Sequence, residues 1–109
     1  MRLATNPDVF QAIATPIRRD IIQKLALQND QSLSAIATAY PMSRQAVTRH
    51  INVLRDTGVV SVQKKGREQL CHLNVQALKQ VYEWVSFYEQ FWDDKLSSLG
   101  DYLASTQDS

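Results

Sequence analysis

Cysteine, glycine and proline are scarce in this 109-residue chain, which holds one, three and three of them respectively. A single cysteine, Cys71, cannot form an internal disulfide. No apolar run approaches the roughly 18 residues of a transmembrane helix, and the first ten residues lack the apolar core of a secretory signal. With 44% hydrophobic residues, the composition is that of a folded protein. We expect one cytoplasmic domain over residues 1–109, with no membrane segment.

The net charge is only +1, but the charged side chains are unevenly distributed along the chain. Residues 41–67 carry six basic side chains and one acidic side chain, a net charge of +5, whereas residues 76–109 have a net charge of −4. A basic segment in a chain whose total net charge is near zero favours contact with a polyanion through that segment. The six basic residues are Arg44, Arg49, Arg55, Lys64, Lys65 and Arg67.

Two capping residues predict the starts of the first two helices. Asn6 and Thr15 can each cap a helix, and each is followed by a proline that fits the first helical position. We expect the first helix over about residues 7–14. The second helix should run up to the polar stretch at residues 28–31.

The third and fourth helices have the spacing of a helix-turn-helix. Ser32 is predicted to cap the third helix, and Pro41 to end it, because the residue before a proline is pushed out of helical geometry. Ser43 is predicted to cap the fourth helix and Gly58 to end it. About three residues then join the two helices, as in a helix-turn-helix. The apolar face of the fourth helix consists of Val47, Ile51 and Leu54.

The rest of the chain predicts a β-hairpin and one long last helix. Residues 60–63 alternate between apolar and polar, as in a half-buried strand, and residues 68–73 form the return strand after a basic turn at residues 64–67. The last helix, expected over residues 74–103 with Asn74 as its cap, carries an apolar seam with coiled-coil-like spacing. The seam contains Leu78, Val81, Val85, Tyr88, Trp92, Leu96, Leu99 and Leu103. The expected fold is mainly α with a small β-hairpin wing, a winged helix-turn-helix with the order α-α-α-α-β-β-α.

The exposed side of the fourth helix carries side chains that can read DNA bases. Arginine pairs with guanine and glutamine with adenine through two hydrogen bonds each in the major groove. No glutamate is interspersed, as it would be on an ordinary solvated face. We predict base contacts from Arg44, Gln45, Thr48 and Arg49. Contacts to the DNA backbone are predicted from Ser43, His50, Asn52, Lys64, Lys65 and Arg67.

Over roughly residues 8–103 the chain closely resembles the arsenic-repressor family of bacterial winged-helix regulators. The matching segments are ATPIRR at residues 14–19, SRQAVTRHI at residues 43–51 and LRDTGVV at residues 54–60, followed by a basic wing at residues 65–67. The combination of these motifs is more specific than any one of them.

The resemblance implies a homodimer that represses promoters. Its DNA-reading part would lie at about residues 32–73, and its dimer contact would form from helices at about residues 7–14 and 74–103. Two identical reading helices imply an inverted-repeat operator. The predicted interface residues are Phe10, Val81, Val85, Tyr88, Trp92 and Leu99.

Neither metal site of that family matches this sequence. The family's cysteine pair lies on the third helix, where residues 32–40 hold no Cys or His, and its second site uses a His on the last helix, which has none. Cys71 and His72 are neighbours in a strand and therefore point to opposite faces, which disfavours joint chelation. We predict no metal, no cofactor and no enzymatic activity, with Cys71 a buried and inert residue.

Some residues admit two interpretations. His50 fits either a phosphate contact or packing at the edge of the fourth helix. For Arg18 and Arg19, an ion pair with Asp20 or Asp8 fits better than a phosphate contact.

The sequence thus predicts a sequence-specific DNA-binding transcriptional regulator, a homodimeric repressor that does not respond to soft metals. Its partners would be double-stranded DNA and a second copy of itself, and any small-molecule effector is unknown. One alternative is a repressor that senses thiol oxidation through Cys71 or a small molecule near the aromatic residues 82–92. Another is a protein–protein adaptor that keeps the winged-helix fold, which salt-dependent DNA binding would distinguish.

Overall fold

The computed structural model describes residues 8–107. The predicted cap Asn6 therefore lies outside the described residues, as does the side chain of the seam residue Leu96. The other side chains outside the description are those of residues 93, 94, 97 and 105–107. No helix in the described part is long and apolar enough to cross a membrane.

Helices dominate the described chain, and three short strands form one sheet. The chain divides into two compact units. The unit that ends at Lys79 is called the reading unit because it contains the residues predicted to read bases, and the unit that begins at Gln80 is called the helical unit. In chain order the elements are α1 Val9–Ala12, α2 Pro16–Leu27, β1 Gln31–Ser32, α3 Leu33–Ala37, α4 Arg44–Asp56, β2 Val60–Lys65, β3 Glu68–Leu73, a 3-10 helix Val75–Leu78, α5 Lys79–Phe87 and α6 Glu89–Gln107.

The first two helices begin at capping side chains. Asp8 caps α1, where its Oδ1 accepts a hydrogen bond from the backbone N–H of Gln11 at 3.1 Å. Thr15 caps α2 as predicted, because its Oγ1 accepts from the backbone N–H of Arg18 at 3.2 Å and Pro16 takes the first helical position. Each cap satisfies one of the backbone donors that a helix start leaves unpaired.

The prediction that Pro41 ends the third helix is wrong, because α3 ends earlier, at Ala37. The Thr38 hydroxyl donates to the carbonyls of Ser34 and Ala35, at 3.1 and 3.2 Å, and so closes the last turn. Ser32 caps α3 as predicted. The connection to α4 is residues 38–43, longer than the three residues expected.

The fourth helix agrees with its prediction at both ends. Ser43 caps it, with its Oγ accepting from the backbone N–H of Ala46 at 3.1 Å. Past its other end, Gly58 adopts a φ of +81°, the left-handed conformation that commonly follows a helix. The predicted apolar face is fully buried, with Val47, Ile51 and Leu54 each 0% exposed.

The hairpin confirms the predicted wing, and a third strand joins it. The strand order is β1-β3-β2, with both pairings antiparallel. In β1, Gln31 pairs with Cys71 and Ser32 pairs with Leu70; this strand was not predicted. The core of the reading unit lies between this sheet and the helices, and its largest fully buried side chains are Ile21, Leu25, Ile36, Val47, Ile51, Leu54, Val59 and Cys71.

The single last helix predicted over residues 74–103 is divided into a 3-10 helix, α5 and α6. Asn74 does not cap with its side chain, which instead donates to the carbonyl of Gly58 at 3.2 Å. At the second break the backbone N–H of Tyr88 bonds to the carbonyl of Val85, three residues back, at 3.0 Å. This shorter bond is the 3-10 pattern, which tightens the chain locally.

Candidate nucleic-acid interface

The exposed side of α4 brings together the four residues predicted to read bases. Arg44, Gln45 and Arg49 are exposed, and Thr48 is half-buried beside them. The described residues lining an open groove of about 640 Å³ on this surface are these same four. Because Val47 is fully buried, packing fixes which side of the helix faces outward. A helix presented in this way has the size and the donors that a DNA major groove accepts.

Arg44 is positioned by the neighbouring helix. Its guanidinium donates a hydrogen bond to Ser34 Oγ on α3, at 2.8 Å. A second groove, of about 480 Å³, contains both residues together with Arg67 of the wing. A guanidinium has five N–H donors, so Arg44 can keep this contact and still donate to a base or a phosphate.

The wing presents its basic residues from a shorter turn than predicted. Both Lys64 and Lys65 belong to β2, and Gly66 and Arg67 form the turn. Gly66 has a φ of +63°, and a positive φ at only the first central residue fits a type II′ hairpin turn. Since neighbouring strand residues point to opposite faces, the side chains of the two exposed lysines lie on different faces of the hairpin.

His50 lies at the edge of α4 and is half-buried. Its Nδ1 is 3.0 Å from Nη1 of Arg18. Burial, and then the positive charge of Arg18, lower the pKa of His50 from its ordinary value. The structure therefore shows the packing interpretation of His50, and a backbone contact through its Nε2 stays a prediction.

The predicted ion pairs of Arg18 and Arg19 are wrong. Arg18 donates to the carbonyls of Gln11 and Ala12, and Arg19 donates to the carbonyl of Ile13 at 2.7 Å. These carbonyls lie at the end of α1, where donors within the helix run out, so the two guanidiniums serve as its C-terminal cap; the Gln11 carbonyl also accepts from the backbone N–H of Ala14 at 3.1 Å.

Asp20 takes other partners, Tyr40 and Lys24. The Tyr40 hydroxyl donates to its Oδ2 at 2.6 Å, and Lys24 Nζ lies 3.5 Å from the same oxygen. Burial, and then this hydrogen bond, raise the pKa of Tyr40. The Lys24 ammonium also lies 4.3 Å from the centre of the Tyr40 ring. Through Tyr40, these contacts hold the connection between α3 and α4 against α2.

Cys71 and His72 lie on opposite faces of β3, as predicted. Cys71 is fully buried, and burial raises the pKa of its thiol, an effect that the charge of Arg55 only partly offsets. The His72 ring is exposed, with its Nδ1 3.1 Å from a carboxylate oxygen of Asp30. Among the described residues, no three His, Cys, Asp or Glu side chains come close enough to hold a metal ion.

The predicted dimer residues differ in how far their side chains are exposed to solvent. Phe10, Val81, Val85 and Tyr88 are half-buried. Trp92 and Leu99 are 48% and 51% exposed. Within the helical unit, Tyr88 packs edge-to-face against Trp84 and Phe87, with ring centres 5.2 and 5.0 Å apart.

Sequence reasoning missed two residues that support α4, Ser34 and Arg18. Ser34 lies ten positions from Arg44, and Arg18 lies 32 positions from His50. Neither pair has the short spacing by which local motifs are recognised. For Ser34 and Arg44, the available signal was that the two helices of a helix-turn-helix must pack together and that a hydroxyl can accept from a guanidinium.

A helix-turn-helix followed by a basic hairpin, with exposed basic and polar side chains on its second helix, defines a winged-helix DNA-binding transcriptional regulator. The comparison with known proteins narrows this class. The model of the family described as "Bacterial regulatory protein, arsR family" matches residues 15–62.

Two relatives in Bacillus subtilis (strain 168) align over most of the chain. An HTH-type transcriptional regulator, YuzN, is 31% identical over 84 residues, which is 71% of this chain and 91% of the relative. The transcriptional repressor SdpR is 31% identical over 78 residues, which is 72% of this chain and 86% of the relative. An ArsR-like transcriptional regulator from Rhodococcus sp. RHA1 shares the fold with a TM-score of 0.66 at 32% identity, covering 89% of this chain and 88% of that one. The protein belongs to the arsR family of bacterial regulatory proteins.

Proposed function

We propose that this regulator is a homodimeric repressor that reads an inverted-repeat operator with α4. The observation that carries the proposal is the grouping of Arg44, Gln45, Thr48 and Arg49 around one open groove, opposite a fully buried helix face. These side chains supply base specificity. The similarity to SdpR, a transcriptional repressor that aligns over 72% of this chain, supports repression over activation.

The wing and the edges of α4 supply affinity in this proposal. Lys64, Lys65 and Arg67 contact phosphates beside the major groove. Asn52 of α4 and Ser43, the cap of α4, contact phosphates next to the helix. The Ser43 hydroxyl already accepts the capping bond from Ala46. Ser43 therefore contributes to a phosphate through its remaining hydroxyl proton.

The exposed apolar side chains of the helical unit form the dimer contact in this proposal, together with Phe10 of α1. Solvent-exposed aromatic residues on this scale mark a protein interface. The two copies then place their reading helices about 34 Å apart, or a small multiple of that distance, on one face of the DNA. We treat residues 1–109 as one functional domain.

Control by soft metals is not part of this function. Zinc and arsenite need several thiolate or imidazole ligands, and the one thiol of the chain, that of Cys71, is fully buried. The level of the protein itself, or a small molecule near the exposed aromatic residues, would then set promoter occupancy.

Selection of bound fragments from genomic DNA tests the proposal. We expect an enriched inverted repeat, bound by a dimer, with an affinity that falls steeply as salt rises. Placing the repeat in front of a reporter should lower expression when the protein is present. No enrichment, together with the absence of salt-dependent DNA binding, would favour the protein–protein adaptor instead.

A further inference from the structure

Arg18 joins two helices of the reading unit through a single guanidinium. Its Nε donates to the carbonyl of Ala12 at 2.9 Å, and its Nη2 donates to the carbonyl of Gln11 at 2.8 Å. Its Nη1 lies 3.0 Å from Nδ1 of His50. The first two contacts lie at the end of α1 and the third on α4, so one half-buried side chain ties α1 to the reading helix.

The chemistry of the two groups fixes where the proton of His50 lies. A guanidinium has donors only and keeps its charge at every physiological pH. Nδ1 of His50 must therefore be the acceptor and carry no proton. A neutral imidazole has one N–H, which leaves the proton on Nε2. Burial and the charge of Arg18 both oppose a second proton and so lower the pKa of His50 from its ordinary value.

We propose that Arg18 is a positioning residue for DNA recognition, which holds His50 as the Nε2–H tautomer so that the ring can meet DNA only as a hydrogen-bond donor. Phosphate oxygens are acceptors, so this tautomer is the neutral form that can bind the DNA backbone. The DNA part rests on the proposed function. The tautomer is a property of the protein without DNA.

Arg19 is a matched control for Arg18. It is the next residue on α2 and also holds the end of α1, through the carbonyl of Ile13 at 2.7 Å. The structure gives it no contact with His50 among the described residues. Arg18→Met and Arg19→Met each remove one guanidinium from the cap of α1, but only the first removes a partner of the histidine.

Long-range ¹H–¹⁵N NMR of the native chain at neutral pH reads the tautomer directly, with the signals assigned by His50→Gln. We expect an unprotonated Nδ1 and a protonated Nε2. Arg18→Met should give a mixture of tautomers and raise the pKa of His50 towards its ordinary value, because Arg18 is the charged group the structure places against the ring. Arg19→Met should leave both unchanged. A protonated Nδ1 in the native chain, or an unchanged tautomer in Arg18→Met, would overturn the inference.

A double-mutant cycle with His50→Ala then tests positioning, using a selected operator duplex. We expect Arg18→Met to weaken operator binding by up to about tenfold, the effect of one lost charge-assisted hydrogen bond, because the ring loses its fixed orientation as well as its single tautomer. Arg19→Met should leave the affinity within about twofold. In the His50→Ala background, Arg18→Met should cost no further affinity. The salt slope should stay unchanged, because a neutral imidazole releases no counterions.

Two results would reject the positioning role. Additive losses would show that Arg18 acts without His50, and a salt slope flatter by about one unit per subunit would make it a direct phosphate contact. His50→Ala keeps both bonds from Arg18 to α1 and removes the imidazole completely, so it must itself weaken operator binding about tenfold even if Arg18→Met unfolds. Absence of DNA binding by the native chain would overturn the proposed function and the positioning role. The NMR measurement would still determine the tautomer of His50, because it is made without DNA.

Discussion

The reading helix α4 and the last helix α6 expose opposite kinds of side chain. On α4, Val47, Ile51 and Leu54 are fully buried, while Arg49 is exposed. On α6, Trp92 and Leu99 are about half exposed. A polar and basic surface binds a polar, anionic partner, whereas apolar surface of this extent marks a protein contact. The difference supports the proposal that α4 contacts DNA and that α6 contacts a second copy of the chain.

The largest expected effect is the loss of stability on truncating a buried apolar side chain of α4. Leu54→Ala should lower the free energy of unfolding by about 2–5 kcal/mol, because it leaves a cavity in a packed core. Leu27→Ala is the control, since Leu27 is 90% exposed and its truncation should leave stability nearly unchanged. Urea unfolding of both variants checks this prediction. Equal losses in the two would mean that the core is placed wrongly.

Truncating an exposed apolar side chain of α6 should weaken dimerisation instead. Trp92→Ala should raise the dimer dissociation constant by about thirtyfold or more, equivalent to about 2 kcal/mol, as buried aromatic anchors do at interfaces. Sedimentation equilibrium measures this constant, again with Leu27→Ala as the control. A native chain that stays monomeric at micromolar concentration would contradict the assembly and, with it, the inverted-repeat operator.

Within the reading unit, the wing should contribute affinity without specificity. Replacing Lys65 and Arg67 by Ala should weaken binding to operator and random DNA alike. The salt slope should flatten by up to about one unit for each lost phosphate contact in each subunit. Lys95→Ala on α6 removes a basic charge outside the reading unit and should leave the slope as it is. An unchanged slope in the double variant would exclude the wing as a phosphate clamp.

The smallest expected effect is that of metals. Zinc, cadmium and arsenite at low micromolar levels should change operator affinity by less than about threefold, roughly 0.7 kcal/mol of coupling. Fluorescence anisotropy of a labelled operator, with the native chain and with Cys71→Ser, measures it. A tenfold release by metal that disappears in Cys71→Ser would make Cys71 a sensor.

Local signals in the sequence predicted the parts of the fold whose determinants are close in the chain. Ser43 and Gly58 set the ends of α4 because a hydroxyl cap and a left-handed glycine act on neighbouring backbone groups. The buried and exposed sides of α4 followed from the 3.6-residue period between Val47 and Ile51. The same reasoning found the wing, since two alternating strands flank Gly66.

Contacts between distant segments were out of reach of the same reasoning. The strand β1 exists because Gln31 and Ser32 pair with β3, some forty positions later, and two polar residues have no strand pattern of their own. The break between α5 and α6 at Tyr88 comes without a proline or glycine. The Arg18–His50 contact joins two helices whose packing has to be known first.

Binding of Arg49→Ala to the selected operator and to random DNA of the same length tests the central claim most directly, that α4 reads bases. Arg49 is exposed in the groove shared with Arg44, Gln45 and Thr48. We predict a loss of about 1–3 kcal/mol on the operator and a much smaller loss on random DNA. Equal losses on both would make Arg49 a backbone contact and contradict the assignment of base reading to this face.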